Sequence, residues 1–194
     1  MNHKPFKIAI FASGSGSNAE NIVNHFRDRQ KATVELIVSN NPNAFVLERA
    51  KKHDINTICI DRESFRNAEE LIGILKDAEI DLIVLAGFLW LIPEKIIAAY
   101  PLKIVNIHPA LLPKYGGKGM YGDHVHQAVS GSGDKETGIT IHFVDKAYDE
   151  GAVIFQEKVE IESGEDPLKI AAKIHTLEYK HFPQVIENLL AKRI

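Results

Sequence analysis

Apolar residues in the first hundred positions fall into short runs separated by amphipathic stretches. KIAIFA (7–12), TVELIVS (33–39), NTICI (56–60), LIVLA (82–86) and IVNI (104–107) are rich in β-branched residues and read as strands. Between them, residues 18–29, 44–53, 68–78 and 93–99 carry helical spacing. LIVLA is apolar without alternation, as expected of a strand covered on both faces, and so of a parallel sheet with helices above and below. Right-handed crossovers then make an α/β, doubly wound, mostly parallel twisted sheet.

The second half has a different rhythm. A glycine-rich loop (116–122) leads to a short helix at 124–130, then to two longer strands, 137–144 and 152–161, joined by the acidic turn AYDEG. Such a pair is expected to be antiparallel, at one end of the sheet. A last helix opens with Asp166 as N-cap and Pro167 in the first turn. Its apolar stripe runs Ile170, Ile174, Leu177, Val185 and Leu189, with a kink expected at Pro183. No linker, repeat or low-complexity segment divides the chain, which reads as one domain over residues 1–194.

Composition narrows the class. The 194 residues are 45% apolar and 25% charged with a formal net charge of -3, ordinary for one α/β domain. That balance offers no basic footprint for nucleic acid or an anionic membrane. No stretch reaches the ~20 apolar residues of a membrane span, and the first apolar run is too short for a signal peptide. A cytoplasmic enzyme or binding domain is expected. Cys59 is the only cysteine, so no intrachain disulfide forms, and its apolar setting predicts a buried, inert thiol.

The densest chemistry lies in IVNIHPALLPKY (104–115). Asn106 and His108 stand two apart at a strand end, so both side chains leave the same face, and Pro109 and Pro113 turn the backbone into a loop. An amide can hold a carbonyl oxygen while an imidazole moves a proton near neutral pH. The plainer alternative is a capping Asn and a packed His. The first strand ends in SGSGSNAE (13–20), where glycines and a helix N-terminus suit an anion. The second strand ends Ser39, Asn40, Asn41, without the carboxylate a dinucleotide ribose needs. A single phosphate ester at Gly16, Ser17 and Asn18 fits better. AGFLWLIP (86–93) follows the fourth strand at the sheet's carboxyl edge, an apolar wall suited to a flat heterocycle. Asp149 reads as ordinary turn chemistry unless it reaches His108, whose imidazolium it would then favour. His142 reads as a packed strand histidine or an additional active-site residue. Asp123, His124 and His126 lack metal-ligand spacing, and no metal is expected.

Taken together these motifs resemble the phosphoribosylglycinamide formyltransferases, folate-dependent enzymes of purine synthesis. The resemblance covers nearly the whole chain: the GSGSN loop, FVLERAKKH (45–53), DRESF (61–65), LAGFLWLIP, VNIHPALLPKY, TGITIHFV, the Asp149-x-Gly151 turn and the region of Glu178. It implies the formyltransferase fold, with a phosphate-binding Rossmann-like half (1–102) and a catalytic, folate-binding half (103–194). It implies transfer of the formyl group of 10-formyltetrahydrofolate, as co-substrate, to glycinamide ribonucleotide by direct amine attack through a tetrahedral intermediate. By the same resemblance, Gly16, Ser17 and Asn18 hold the phosphate and Glu178 meets the ribose. Arg62, Leu89, Trp90, Leu91, Ile92 and Asn106 hold the folate, and Asn106, His108 and Asp149 are catalytic. The partners implied are these two small molecules, with the chain a monomer or weak homodimer. Trp90 stands where such enzymes commonly carry a basic residue, and the loop at 116–123 looks longer than usual. Formyltransferases for methionyl-tRNA or sugar nucleotides share the Asn106 and His108 motif but generally add a C-terminal domain. A non-catalytic phosphate-binding module would leave Asn106, His108 and Asp149 without purpose.

Overall fold

The structure, a computed structural model, describes residues 4–192. Strands β1 to β5 pair in parallel, and β6 pairs antiparallel with both β5 and β7, in a single seven-stranded sheet of order β3-β2-β1-β4-β5-β6-β7. The strands are β1 (Phe6–Phe11), β2 (Ala32–Ser39), β3 (Asn56–Cys59), β4 (Leu82–Leu85), β5 (Ile104–His108), β6 (Glu136–Phe143) and β7 (Val153–Glu160). The expected doubly wound sheet with an antiparallel pair at one end is what forms.

Alternation along the central strands divides the core. Ile8, Ile10, Val84, Val105 and Ile107 pack on one face, beneath α1 (Ser17–Arg27), α2 (Phe45–Lys52), α6 (Asp123–Ser132) and α7 (Pro167–Ala191). Ala9, Phe11, Ile83, Leu85 and Ile104 pack on the other, beneath α3 (Arg62–Asn67), α4 (Glu69–Asp77) and α5 (Glu94–Ala99). β4 is buried at all four positions, the reason LIVLA shows no alternation. α7 begins as expected, with the Asp166 carboxylate accepting from Leu168 N at 2.7 Å, and it continues through Pro183 without interruption.

Two local expectations are corrected. Cys59 is exposed, because β3 is a four-residue edge strand and only its neighbour Ile60 turns into the core. α3 has no counterpart in the strand and helix spacing. Its signal lies in the cap: Asp61 Oδ1 accepts from Glu63 N at 2.8 Å and from Ser64 N at 2.9 Å. Among the described residues no helix is long and apolar enough to cross a membrane.

Candidate active site

The carboxyl ends of β1, β4 and β5 open into a cleft of about 910 Å³, where ligands bind in open α/β sheets. A larger depression of about 1710 Å³ lies at the opposite ends of the strands, around Phe6, Ala32 and Ile55. Lys4, Arg27, Lys31, Lys52, His53, Asp54 and Glu187 line it, whereas Asn106, His108, His142 and Asp149 all border the smaller cleft.

One wall is the turn from β1 into α1. Gly16 adopts φ 71°, and a Cβ there would collide with the Val46 side chain, so only glycine lets α1 start this close to α2. Val46 N donates to Gly14 O at 3.1 Å and Arg49 Nε to Ser15 O at 2.9 Å, while the Arg49 guanidinium pairs with Glu20. α2 thus holds the turn from behind. The first N–H groups of α1 lack intrahelical acceptors, and Gly16, Ser17 and Asn18 all border the cleft. Asn18 Nδ2 donates to Glu178 at 2.9 Å, whereas its Oδ1 is buried without a partner. Glu178 also accepts from His175 Nδ1 at 2.9 Å, and that contact raises the His175 pKa above its ordinary value.

The opposite wall is the loop after β4. Leu89 N donates to Ser13 Oγ at 3.0 Å, tying this loop to β1. Leu89 and Leu91 are exposed in the cleft and Ile92 is buried beneath it. Trp90, expected to line the pocket rather than the core, does both: it is half-buried, with its ring 5.5 Å from Phe65 and 6.3 Å from Phe88. Arg62, at the start of α3, is not among the residues bordering the cleft. Its guanidinium lies over the Trp90 ring, 5.2 Å from the centroid.

Between the walls stand the polar groups of β5 and β6. Antiparallel pairing sets Asn106 directly across from His142, and Asn106 Nδ2 lies 3.1 Å from His142 Nε2. The Phe143 carbonyl accepts from His142 Nδ1 at 2.8 Å, leaving Nε2 as the acceptor for the amide. Asp149, φ 58°, sits in the turn between β6 and β7 and reaches both histidines, Oδ2 being 3.5 Å from His108 Nδ1 and Oδ1 3.5 Å from His142 Nε2. A Cβ on Gly151 would strike the Phe143 carbonyl, so the turn can close this tightly only on glycine. Asn106 Nδ2 lies 3.4 Å from Asp149 Oδ1, and Gly117 N donates to Oδ2 at 3.0 Å. The structure therefore unites Asn106, His108, His142 and Asp149.

The charge state of His108 differs from expectation. Burial disfavours its cation and outweighs the attraction of Asp149 and the bond from Nε2 to the Tyr115 carbonyl (2.7 Å), so its pKa lies below the ordinary value. For Asp149, burial opposes ionisation, but the neighbouring His142 and His108 imidazoles and the Gly117 N–H together prevail and lower its pKa. The resting pair is a carboxylate beside a largely neutral imidazole.

Residues 6–186 match the formyl transferase family. The chain belongs to that family. Phosphoribosylglycinamide formyltransferase of Bacillus subtilis (strain 168) is 40% identical over 189 residues, spanning 95% of this formyl transferase and 94% of the relative. The chloroplastic phosphoribosylglycinamide formyltransferase of Arabidopsis thaliana is 35% identical over 201 residues, spanning 100% of this chain and 69% of its own. Phosphoribosylglycinamide formyltransferase from Bacillus halodurans has the same fold, with a TM-score of 0.87 at 37% identity over 97% of each chain.

Sequence reasoning left several cleft residues of this formyl transferase without a role. Tyr115 and Gly117 contact His108 and Asp149 through backbone atoms, which no side-chain pattern reveals. His126 is buried on α6 with Nδ1 unpartnered. Among the described residues no His, Cys, Asp and Glu side chains gather in a group able to hold a metal ion.

Proposed function

We propose that this chain transfers the formyl group of 10-formyltetrahydrofolate to the amine of glycinamide ribonucleotide, a step of de novo purine (IMP) synthesis. It acts as a cytoplasmic enzyme on these two small molecules. One observation carries the reading: the Asn106, His108, His142 and Asp149 cluster stands between a neutral anion-binding turn and an apolar aromatic wall in one cleft. That layout matches a phosphorylated amine on one side and a flat heterocycle on the other.

Gly16, Ser17 and Asn18 receive the phosphate, and Glu178, with Asn18 and His175 beside it, receives the ribose hydroxyls. Leu89, Trp90, Leu91 and Ile92 hold the folate ring, and Arg62 supports that wall through Trp90. Attack of the amine on the formyl carbon places negative charge on oxygen and positive charge on nitrogen. Asn106 supplies the amide donor for the oxygen once its N–H groups turn from His142 and Asp149. His108 enters neutral and takes up the amine's proton, and Asp149 then turns from an awkward neighbour of a lone pair into the counter-ion of an imidazolium. His108 returns the proton to the departing folate nitrogen, so the proton balance closes without metal or covalent enzyme intermediate. General acid–base help of this kind is worth about 10²–10⁴ in rate. The Tyr115 carbonyl accepts from His108 Nε2, so the lone pair that receives the proton and returns it is on Nδ1, beside Asp149.

The test is formyl transfer measured with purified protein, 10-formyltetrahydrofolate and one acceptor at a time. Release of tetrahydrofolate is expected with glycinamide ribonucleotide and not with methionyl-tRNA or water. Transfer that ignores glycinamide ribonucleotide would overturn the reading.

A further inference from the structure

The cleft is short of positive charge. Asp123, Asp149 and Glu178 border it, and Lys118 is the sole lysine or arginine that does so among the described residues. A phosphate monoester brings a further charge of about −1.5 to −2 at neutral pH. Arg49 stands behind the anion-binding turn, but its guanidinium is committed to Glu20 and the Ser15 carbonyl. Arg62 is on the far wall, stacked on Trp90. Lys118 has no hydrogen bond or ion pair among the described residues, and its exposed side chain rises from the glycine-rich loop.

The loop leads toward the phosphate. Gly117 N is fixed to Asp149 at one end. At the other, Asp123 opens α6 and borders the same cleft as His126, His175, Asn18 and Glu178, and His175 and Asn18 share the Glu178 carboxylate. Lys118 thus sits on a span from the catalytic carboxylate to the phosphate side. Gly117 (φ 94°) and Gly119 (φ 91°) flank it in left-handed conformations that favour glycine, with open space where a Cβ would stand.

We propose that Lys118 is the cation that closes on the substrate phosphate from the loop side, opposite the N–H groups of Gly16, Ser17 and Asn18. Recognition of the ribonucleotide is then split between a rigid neutral turn and a swinging ammonium on a flexible four-carbon stem. The inference rests on the proposed phosphoribosyl substrate, and the wild-type acceptor assay tests that reading before any variant is made. Lys118→Met keeps the stem and removes the charge. With glycinamide ribonucleotide it is expected to raise KM by about ten- to hundredfold, the loss of one charge-assisted hydrogen bond, with kcat nearly unchanged. With the unphosphorylated glycinamide riboside, Lys118→Met and wild type should be alike, and Lys118→Arg should recover most of the ribonucleotide affinity. An unchanged ribonucleotide KM, an equal loss on the riboside, or a rise confined to the KM for 10-formyltetrahydrofolate would each overturn the assignment.

Discussion

At the scale of single residues, Asp149 is the most informative position. Its carboxylate touches His108, His142, Asn106 and Gly117 N from a left-handed backbone that aspartate tolerates better than most side chains. Asp149→Asn keeps the shape and removes the charge, so its effect should fall on the step in which His108 becomes charged. The expected result is a kcat lower by about 10²-fold or more with both KM values little changed. The sign of the pH effect follows from the residue's neighbours. Burial already lowers the His108 pKa and Asp149 partly offsets it; without the carboxylate it falls further, and the acid limb of the rate profile moves to lower pH. His108→Ala should be at least as damaging, and the double variant little worse, because the two act as a unit. Losses that multiply would separate Asp149 from His108 and return it to a turn role.

At the scale of elements, the turn from β1 into α1, proposed to hold the phosphate, depends on α2 as much as on its own glycines. Gly16→Ala faces both a left-handed φ and the Val46 side chain. The strain and overpacking together should cost roughly 2–4 kcal/mol in urea unfolding, with a raised KM for the ribonucleotide. A stable variant with normal KM would show that α1 can retreat from α2. What the sequence revealed follows the same division. Asn106 and His108 were legible because strand alternation puts residues two apart on one face, and the SGSGSN turn because glycine before a helix has few other uses. The exposure of Cys59 was not, since the pattern NTICI does not tell an edge strand from a central one. Nor was the weak charge on His108, which depends on how deeply β6 and the 115–117 segment cover it. Arg62 was assigned to the folate through its motif, and its guanidinium lies over the Trp90 ring, 5.2 Å from the centroid.

At the scale of the whole molecule, buried histidines set the response to acid. His108 and His126 both titrate below their ordinary value, burial being the leading cause. The unfolded chain therefore binds protons first, and stability declines as pH falls from about 6.5 toward the folded values. His175 has the opposite sign, stabilising at low pH and losing that contribution as pH rises through its raised pKa, but it is half-exposed and counts for less. The urea midpoint should drop between pH 7.5 and 5.5, and His126→Leu should shrink the drop. An equal drop in the variant would place the acid sensitivity elsewhere.

The bond from Gly117 N to Asp149 has one more consequence. A single carboxylate both pins the loop and offers its charge to the imidazole, so seating the loop and protonating His108 draw on the same oxygen atoms. Two equilibria that share a group are reciprocally linked, each shifting the other by the same factor. A ligand that moves the loop therefore changes the stabilisation of the imidazolium, and protonation of His108 changes the hold on the loop by the same factor. The position of the loop and the charge on His108 are in that sense one variable, read at Asp149.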